Sequence, residues 1–211
     1  IAGKLAKEGY HTDFLYGGDI NFTNMKSYLL ESGYQNLTAD TDFPMSQHQN
    51  AWGVNDDITF DHLYQMIKDR RDSPWHTAFL TLSSHEPFEV PYHRLKEKQP
   101  NAFAFTDHCL GEFVERIRKT PVWNSLLIVC LPDHGFYYPA EGNGHDARIH
   151  HIPMLWLGGA VKQPMVINQV MNQSDLAATL LAQLGIDHSE FNFSRNILST
   201  AYTYPFAYWT F

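Results

Sequence analysis

The residues best suited to chemistry fall into three short polar segments, each of which directly follows an apolar run. The segments are Asp133-His134-Gly135, Ser84-His85-Glu86 and Gly17-Gly18-Asp19, after the runs 125–131, 77–83 and 12–16 respectively. In open α/β sheets, ligands bind outside the carboxyl ends of the strands. If the three runs are strands of such a sheet, the polar segments lie where a ligand binds.

Asp133 and His134 offer a carboxylate oxygen and an imidazole nitrogen side by side. This donor pair suits a divalent ion such as zinc or manganese. In a loop, adjacent side chains can both turn toward one ion. Gly135 has no side chain, so the backbone there can approach that ion closely. The alternative is an ordinary turn in which Asp133 binds backbone amides and His134 is exposed. The residues alone leave both interpretations open.

Two further histidines are candidates for contacting a substrate. His85 lies two residues before Pro87, which favours extended backbone in the residue between them, and its imidazole can donate a hydrogen bond to an anionic oxygen. His145 lies on the glycine-containing loop 142–146, shortly after the Asp-His pair. The alternative for each is an ordinary loop histidine.

Helical and extended patterns alternate along the chain. Strands are predicted at 12–16, 77–83, 125–131, 152–157 and, in the aromatic tail, 204–211. Helices are predicted at 1–8, 24–32, 60–70 with Asp57 as a possible N-cap, 102–119 and 174–184. Strands separated by helices of this length predict a single α/β domain, with a mostly parallel central sheet and helices on both faces.

The composition excludes several classes of protein. A hydrophobic fraction of 44% argues against a disordered chain. The chain has 15 Lys+Arg and 23 Asp+Glu, which gives a net charge of -8. A chain of this charge has no general attraction for nucleic acid. Cys109 and Cys130 are too few for a disulfide framework. The chain begins without Met and inside a helical pattern, so we expect it to be the later part of a longer protein.

The remaining candidates are weaker. Gly17-Gly18 suits a phosphate cradle, but two glycines alone do not define one, and no GxSxG, P-loop or GxGxxG motif is present. Several histidines fall on predicted helices or polar loops and are predicted to be surface residues: His11, His48, His62, His76, His93, His108 and His188.

Taken together, the motifs resemble the sulfatase-like branch of the alkaline phosphatase superfamily, most closely the lipoteichoic acid synthase (phosphoglycerol transferase) group. The resemblance covers nearly the whole chain. Its motifs are, in order, FLYGG at 14–18, NFTNM at 21–25, WGV at 52–54, FLTLSSHEPF at 79–88, PDHG at 132–135, HIPML at 151–155 and SDL at 174–176. The TLSSHEPF and DHG elements in this order are its most specific part.

The resemblance implies roles for the candidate residues. Asp133 and His134 would be two ligands of a catalytic divalent ion, expected to be Mn²⁺, with Zn²⁺, Mg²⁺ or Ca²⁺ as alternatives. His85 and His145 would contact the phosphate-bearing substrate. The nucleophile of this group is a metal-bound Thr that would precede the strand at 12–16, so no catalytic nucleophile is expected within this chain.

The resemblance also implies a reaction and a location. Residues 1–211 would be the C-terminal portion of a sulfatase-like catalytic domain with an alkaline phosphatase-like, N-terminally truncated fold. The expected reaction transfers a phosphoglycerol-type head group from a lipid to a glycan or glycerol acceptor, through a covalent phospho-threonine enzyme. The expected location is the bacterial cell membrane, anchored by upstream transmembrane helices, with the catalytic domain on the periplasmic or extracellular side. This stretch alone is expected to be inactive.

The sequence departs from the Gram-positive synthases in the loop after Gly17-Gly18. Their loop carries a Trp and an Arg that hold glycerol phosphate, and an Arg supplies a bidentate partner for phosphate. The shorter loop here offers instead Asp19, Asn21, Phe22 and Asn24. Two alternatives therefore stay open: a sulfatase that hydrolyses sulfate esters, and a catalytically silent module that binds a glycan or a lipid head group.

Overall fold

The structure is a computed structural model that describes residues 1–71, 74–138 and 145–209. It divides into two compact units, Ile1–Leu126 and Leu127–Phe211. The α-helices of the described residues are α1 (Ala2–Lys7), α2 (Met25–Glu31), α3 (Asp56–Ile67), α4 (Lys98–Ile117) and α5 (Leu176–Gln183). Their strands are β1 (His11–Tyr16), β2 (Asn36–Thr38), β3 (His48–Asn50), β4 (Gly53–Val54), β5 (Trp75–Leu80), β6 (Ile128–Cys130) and β7 (Leu155–Leu157).

A parallel three-stranded sheet with the order β2-β1-β5 forms the centre of the first unit. In its register, Asp13 of β1 lies opposite Asn36 of β2 and Thr77 of β5. All residues of β1 except His11 are buried, as expected of the central strand of a parallel sheet that is covered on both faces. The parallel sheet confirms the predicted fold class, although β5 begins and ends earlier than the predicted strand at 77–83.

Helices cover both faces of this sheet. On one face, Phe60 of α3 packs edge-on against Phe79 of β5, with ring centroids 4.8 Å apart, and contacts Phe113 of α4 at 5.6 Å. On the other face, Phe14 of β1 and Leu29 of α2 belong to one buried cluster. The predicted arrangement of a sheet between helices is therefore observed within the first unit.

The first unit also corrects two sequence-based predictions. Helix α3 begins at Asp56 with Asn55 as its N-cap, not after Asp57, because the Asp56 side chain is buried and binds another segment. His76 is not a surface residue: it lies in β5, and its ring stacks on Tyr34 at 5.9 Å. All residues of β5 are half-buried, and the polar residues around His76 in the sequence give no sign of this packing.

The second unit contains α5 and the antiparallel pair β6-β7, in which Val129 lies opposite Trp156. The apolar run at 125–131 was predicted to be a buried strand, but only Ile128–Cys130 forms a strand and all three residues are half-buried. The predicted strand in the tail is wrong for 204–209, where no strand forms. Backbone carbonyls of that segment accept hydrogen bonds from the side chains of Arg195 and Asn172 instead. Residues 210 and 211 lie outside the described residues.

None of the helices in the described part of the chain combines the length and the apolarity of a bilayer-spanning helix.

Candidate metal and substrate site

Asp133 and His134 present two donor atoms to the same point in the loop after β6. Asp133 Oδ2 and His134 Nε2 lie 3.6 Å apart, and both side chains are about 70% exposed. The other polar atoms of the two side chains bind within the loop. The backbone N–H of His134 donates to Asp133 Oδ1 at 2.9 Å, and the ring atom His134 Nδ1 lies 2.8 Å from the Gly135 carbonyl oxygen. Because that carbonyl can only accept, Nδ1 carries the proton, and Nε2 keeps its lone pair when the ring is neutral.

This arrangement fits part of the shell of a divalent ion. Metal-bound histidines usually donate their second ring N–H to a carbonyl or a carboxylate, as His134 does here. Metal–ligand bonds of about 2.0–2.2 Å place two donors of one tetrahedral ion roughly 3.4 Å apart, close to the observed 3.6 Å. Among the described residues, no group of three or more His, Cys, Asp or Glu side chains could hold a metal ion. Asp133 and His134 could therefore supply two donor atoms to an ion, and the described residues offer no third one beside them.

Contacts within the second unit hold the Asp-His loop. A Cβ added to Gly135 would lie 1.6 Å from the carbonyl oxygen of Ile149, so only glycine permits this approach of the two backbone segments. Gln173 Nε2 donates to the carbonyl oxygens of Pro132 and Asp133 at 2.8 and 3.0 Å. The turn alternative is thus partly observed as well, since Asp133 binds a backbone amide through Oδ1 and the Oδ2 atom remains available.

His85 lies on the loop that follows β5 and is exposed. His85 Nδ1 lies 2.9 Å from the Glu86 carbonyl oxygen, so Nε2 again keeps a lone pair unless the ring is protonated. The ring meets Trp52 edge-on at 5.1 Å, and Trp52 meets Phe22 edge-on at 5.8 Å. An aromatic cluster therefore orients this histidine.

Asp56 anchors the segment that leads to His85, a role that sequence reasoning missed. Its Oδ1 accepts the backbone N–H groups of Leu82 and Ser83 at 2.8 and 3.2 Å. Its Oδ2 accepts the hydroxyl of Thr106 at 2.6 Å. Burial raises the pKa of the Asp56 carboxyl group, and these hydrogen bonds oppose the rise. The sequence shows two adjacent aspartates, at 56 and 57, next to the start of a predicted helix. Only the fold shows that Asp56 is the buried one of the two.

The two glycines after β1 have a packing role. The Gly17 carbonyl oxygen accepts the Val54 N–H at 2.8 Å, and a Cβ added to Gly53 would lie 2.1 Å from that oxygen. Gly53 also has a φ of 139°, which residues with a side chain rarely adopt. The glycines therefore permit close contact between β4 and the turn after β1.

His145 is exposed and comes directly before Asp146, the N-cap residue of the short 3-10 helix Ala147–His150. The preceding residues 139–144, which include most of the loop predicted to carry His145, lie outside the described residues. The structure brings Asp133 and His134 together in the second unit and places His85 in the first unit. The substrate-binding roles of His85 and His145 stay predictions.

The parallel sheet between helices and the Asp-His-Gly loop after a strand agree with the resemblance to the alkaline phosphatase superfamily. The family model described as Sulfatase matches residues 1–186. The chain therefore belongs to the Sulfatase family, as the sequence motifs predicted.

Known relatives and solved structures agree with this assignment. The chain is 24% identical to phosphoglycerol transferase I of Xanthomonas campestris pv. campestris (strain B100), over 92% of this chain and 30% of that protein. It is 23% identical to the phosphoglycerol transferase I of Salmonella choleraesuis (strain SC-B67), over 92% of this chain and 28% of that protein. The chain thus spans less than a third of the length of these relatives.

Among solved structures, a protein of the alkaline phosphatase superfamily from Vibrio parahaemolyticus matches with a TM-score of 0.82 and 27% identity, covering 94% of this chain and 50% of that one. The lipoteichoic acid synthase LtaP from Listeria monocytogenes matches with a TM-score of 0.83 and 18% identity, covering 93% and 55%. The phosphoglycerol transferase GacH from Streptococcus pyogenes, solved with sn-glycerol-1-phosphate, gives a TM-score of 0.59 at 16% identity, covering 82% and 50%. The likeness to the last two concerns the fold alone.

Proposed function

We propose that this chain is part of a metal-dependent enzyme that transfers a phosphoglycerol-type head group from a lipid to a glycan or glycerol hydroxyl. The observation that carries the proposal is the 3.6 Å pair of free donor atoms, Asp133 Oδ2 and His134 Nε2, in a chain of the Sulfatase family. Relatives named phosphoglycerol transferase I support the choice of a phosphate ester over a sulfate ester.

Asp133 and His134 would hold a divalent ion, for which Mn²⁺ is our first choice because a hard carboxylate oxygen and an imidazole nitrogen both suit it. When bound, such an ion polarises a phosphoryl oxygen and lowers the pKa of a coordinated hydroxyl group. The hydrogen bond from His134 Nδ1 to the Gly135 carbonyl oxygen fixes the ring with Nε2 toward the ion. The clamp from Gln173 keeps the whole loop in this orientation.

The reaction would proceed by two displacements. A threonine Oγ, supplied by the part of the protein that precedes these residues, attacks phosphorus, and the bond from phosphorus to the lipid alcohol breaks. A protonated histidine, for which His85 and His145 are the two candidates, would donate a proton to the leaving alcohol. An acceptor hydroxyl then gives its proton to the histidine that protonated the lipid alcohol and attacks the phospho-threonine, the Oγ–P bond breaks, and the threonine oxygen is restored. With a lipid donor, the enzyme would act at the bacterial cell membrane, with the catalytic domain on the periplasmic or extracellular side.

The proposal is tested in the longer protein by metal analysis and turnover of a phosphoglycerol lipid. We expect Asp133→Ala and His134→Ala to lose bound metal and turnover together, with at least a hundredfold drop in rate if one ligand is removed. Wild-type metal content in both variants would overturn the ligand assignment. Turnover of a sulfate ester in place of the phosphoglycerol lipid would overturn the substrate assignment.

The chain offers a matched control in a second Asp-His pair of the same unit, Asp187-His188. Asp187 binds Ser189 within a surface turn. We expect Asp187→Ala and His188→Ala to retain both metal and turnover. Loss of metal in these variants as well would show that the effect at Asp133 and His134 is one of folding.

A further inference from the structure

A cavity of about 310 Å³ opens next to the aromatic cluster of Phe22 and Trp52 in the first unit. Its lining includes the two carboxylates Asp19 and Asp40 and the hydroxyl of Tyr16. A volume of this size falls within the range of small-molecule sites. The cavity adjoins Trp52, which contacts His85, but His85 does not line it.

The charge of the lining argues against a phosphate group as the occupant. None of the residues that line the cavity, all of them within the described part of the chain, is Lys or Arg. Asp19 and Asp40 would repel an anion, and no guanidinium or ammonium group offsets them. His48 also lines the cavity, and its Nε2 lies 3.1 Å from the carbonyl oxygen of Asp40. The occupant is therefore an uncharged or a cationic group.

The carboxylates have acceptor capacity to spare. Asp19 Oδ1 accepts the N–H and the side-chain amide of Asn21 at 2.8 and 3.0 Å, and Asp40 Oδ1 accepts the Thr41 N–H at 2.8 Å. Within the described part of the chain, Oδ2 of each carboxylate makes no hydrogen bond. Burial, followed by the charges of Asp19 and Asp40, raises the pKa of Tyr16, so its hydroxyl stays a donor as well as an acceptor.

The aromatic residues supply a stacking surface. Trp52 is 40% and Phe22 is 52% exposed, and the contacts of Trp52 with Phe22 and His85 are both edge-on. Neither neighbour lies parallel to the indole ring. An exposed aromatic ring beside free carboxylate acceptors can bind a ring that has an apolar face and a rim of hydroxyl groups.

We infer that this cavity binds an uncharged sugar ring, which stacks on Trp52 while its hydroxyls donate to Asp19 and Asp40. This inference rests on the proposed function, in which it assigns the cavity to the glycan acceptor or to the sugar of a glycolipid. The phosphoryl group would then bind elsewhere, since this cavity repels it. Asp19, Asp40 and Trp52 would be determinants of specificity.

The inference is tested on the longer protein without added metal, by following the tryptophan indole N–H signals in NMR spectra. The signal of Trp52 is assigned by its loss in Trp52→Phe. The probes are the methyl glycosides of glucose, galactose, mannose and N-acetylglucosamine, with ethanolamine as an ammonium and inorganic phosphate as an anion. We expect at least one glycoside to shift the Trp52 signal saturably, and phosphate to leave it unchanged.

Variants separate stacking from hydrogen bonding. Asp19→Asn and Asp40→Asn keep the volume of the side chain and should weaken glycoside binding about tenfold each, which corresponds to about 1.4 kcal/mol. Trp52→Tyr should retain binding and Trp52→Ala should lose it. Trp123→Phe is the control and should bind as the wild type does. A shift with ethanolamine but with none of the glycosides would overturn the sugar assignment, as would the absence of any shift.

The source of the sugar is resolved in the longer protein. If the cavity binds the glycan acceptor, Asp19→Asn should raise the KM for the acceptor. If it binds the sugar of a glycolipid donor, the same variant should raise the KM for the donor. The proposed function fails separately from this inference, because glycoside binding does not require Asp133. If the glycoside binds and Asp133→Ala retains turnover, the proposed function is wrong and the sugar site stands.

Discussion

Asp56 and Ser83 exchange two hydrogen bonds across 27 positions of sequence. The Asp56 N–H donates to Ser83 Oγ at 2.8 Å, and the Ser83 N–H donates to Asp56 Oδ1 at 3.2 Å. The pair joins the first turn of α3 to the segment after β5. His85 follows Ser83 by two residues, and Trp52 lies shortly before α3, so this pair holds the segments that carry both side chains.

Asp56→Ala should therefore destabilise the protein and loosen the loop. The backbone amides of Leu82 and Ser83 would lose their acceptor while buried, and each such loss costs about 1–3 kcal/mol. We expect a lower free energy of unfolding by about 3 kcal/mol in urea titrations. Asp57→Ala, on the exposed side of the same turn, is the control and should change little. Equal stability of the two variants would contradict the anchoring role.

Gly135 and Gly111 should respond in opposite directions to substitution by alanine. A Cβ at Gly135 would overlap the Ile149 carbonyl oxygen, so Gly135→Ala should lower the stability by more than about 2 kcal/mol. Gly111 lies inside α4 with nothing within 4 Å of an added Cβ, so Gly111→Ala should stabilise by about 0.5–1 kcal/mol. Thermal unfolding measures both. Tolerance of alanine at position 135 would show that the two segments do not meet as described.

Arg195 should be hard to replace even by lysine. Its guanidinium binds the fully buried carboxylate of Asp175 through Nε and Nη2 at 3.1 and 2.6 Å, and it lies 3.8 Å from the centre of the Phe206 ring. Lysine cannot reproduce this two-point contact, so we expect Arg195→Lys to cost about 3 kcal/mol in urea unfolding.

Arg148→Lys is the matched control for Arg195. Arg148 also makes a two-point contact, with Asp146, but its side chain is almost fully exposed. Exposed pairs contribute little to stability because water and salt screen them. We expect no measurable change, and a similar loss in both variants would argue against burial as the cause.

His76 should make stability depend on pH below 6.5. Burial lowers the pKa of His76 from 6.5 to about 4, so the unfolded chain binds a proton there that the folded chain does not. Between pH 6.5 and 4 this difference lowers the stability as the pH falls, by up to about 3 kcal/mol. Above pH 6.5 the contribution is constant.

His76→Phe should flatten this part of the pH profile, since the ring can still stack on Tyr34 and no longer titrates. Urea unfolding at several pH values between 4 and 7 gives the comparison. His93→Phe, at an exposed loop position, should leave the wild-type slope. An unchanged slope in His76→Phe would mean that the ring is protonated in the folded protein.

The local pattern of the sequence determined the central strand β1, the α/β class and the Asp133-His134 loop. Each depends on residues that lie next to one another: an apolar run predicts a buried strand, and adjacent donors predict a shared ion. The order of the motifs predicted the family, which the match to residues 1–186 confirmed. Boundaries were less accurate, because α4 begins at Lys98 and β5 ends at Leu80.

The tertiary structure decided what depends on distant contacts. Asp56 is an anchor only because Thr106, 50 positions away, and Ser83 meet it in the interior. His76 is half-buried because β5 packs in the central sheet, and the aromatic tail forms no strand over 204–209, where Arg195 binds two of its carbonyl groups. The cavity beside Trp52 arises where the turn after β1 meets β3 and β4. A local sequence pattern indicates which side chains prefer burial. The pairs of buried side chains that come into contact depend instead on how the chain closes the loops between them.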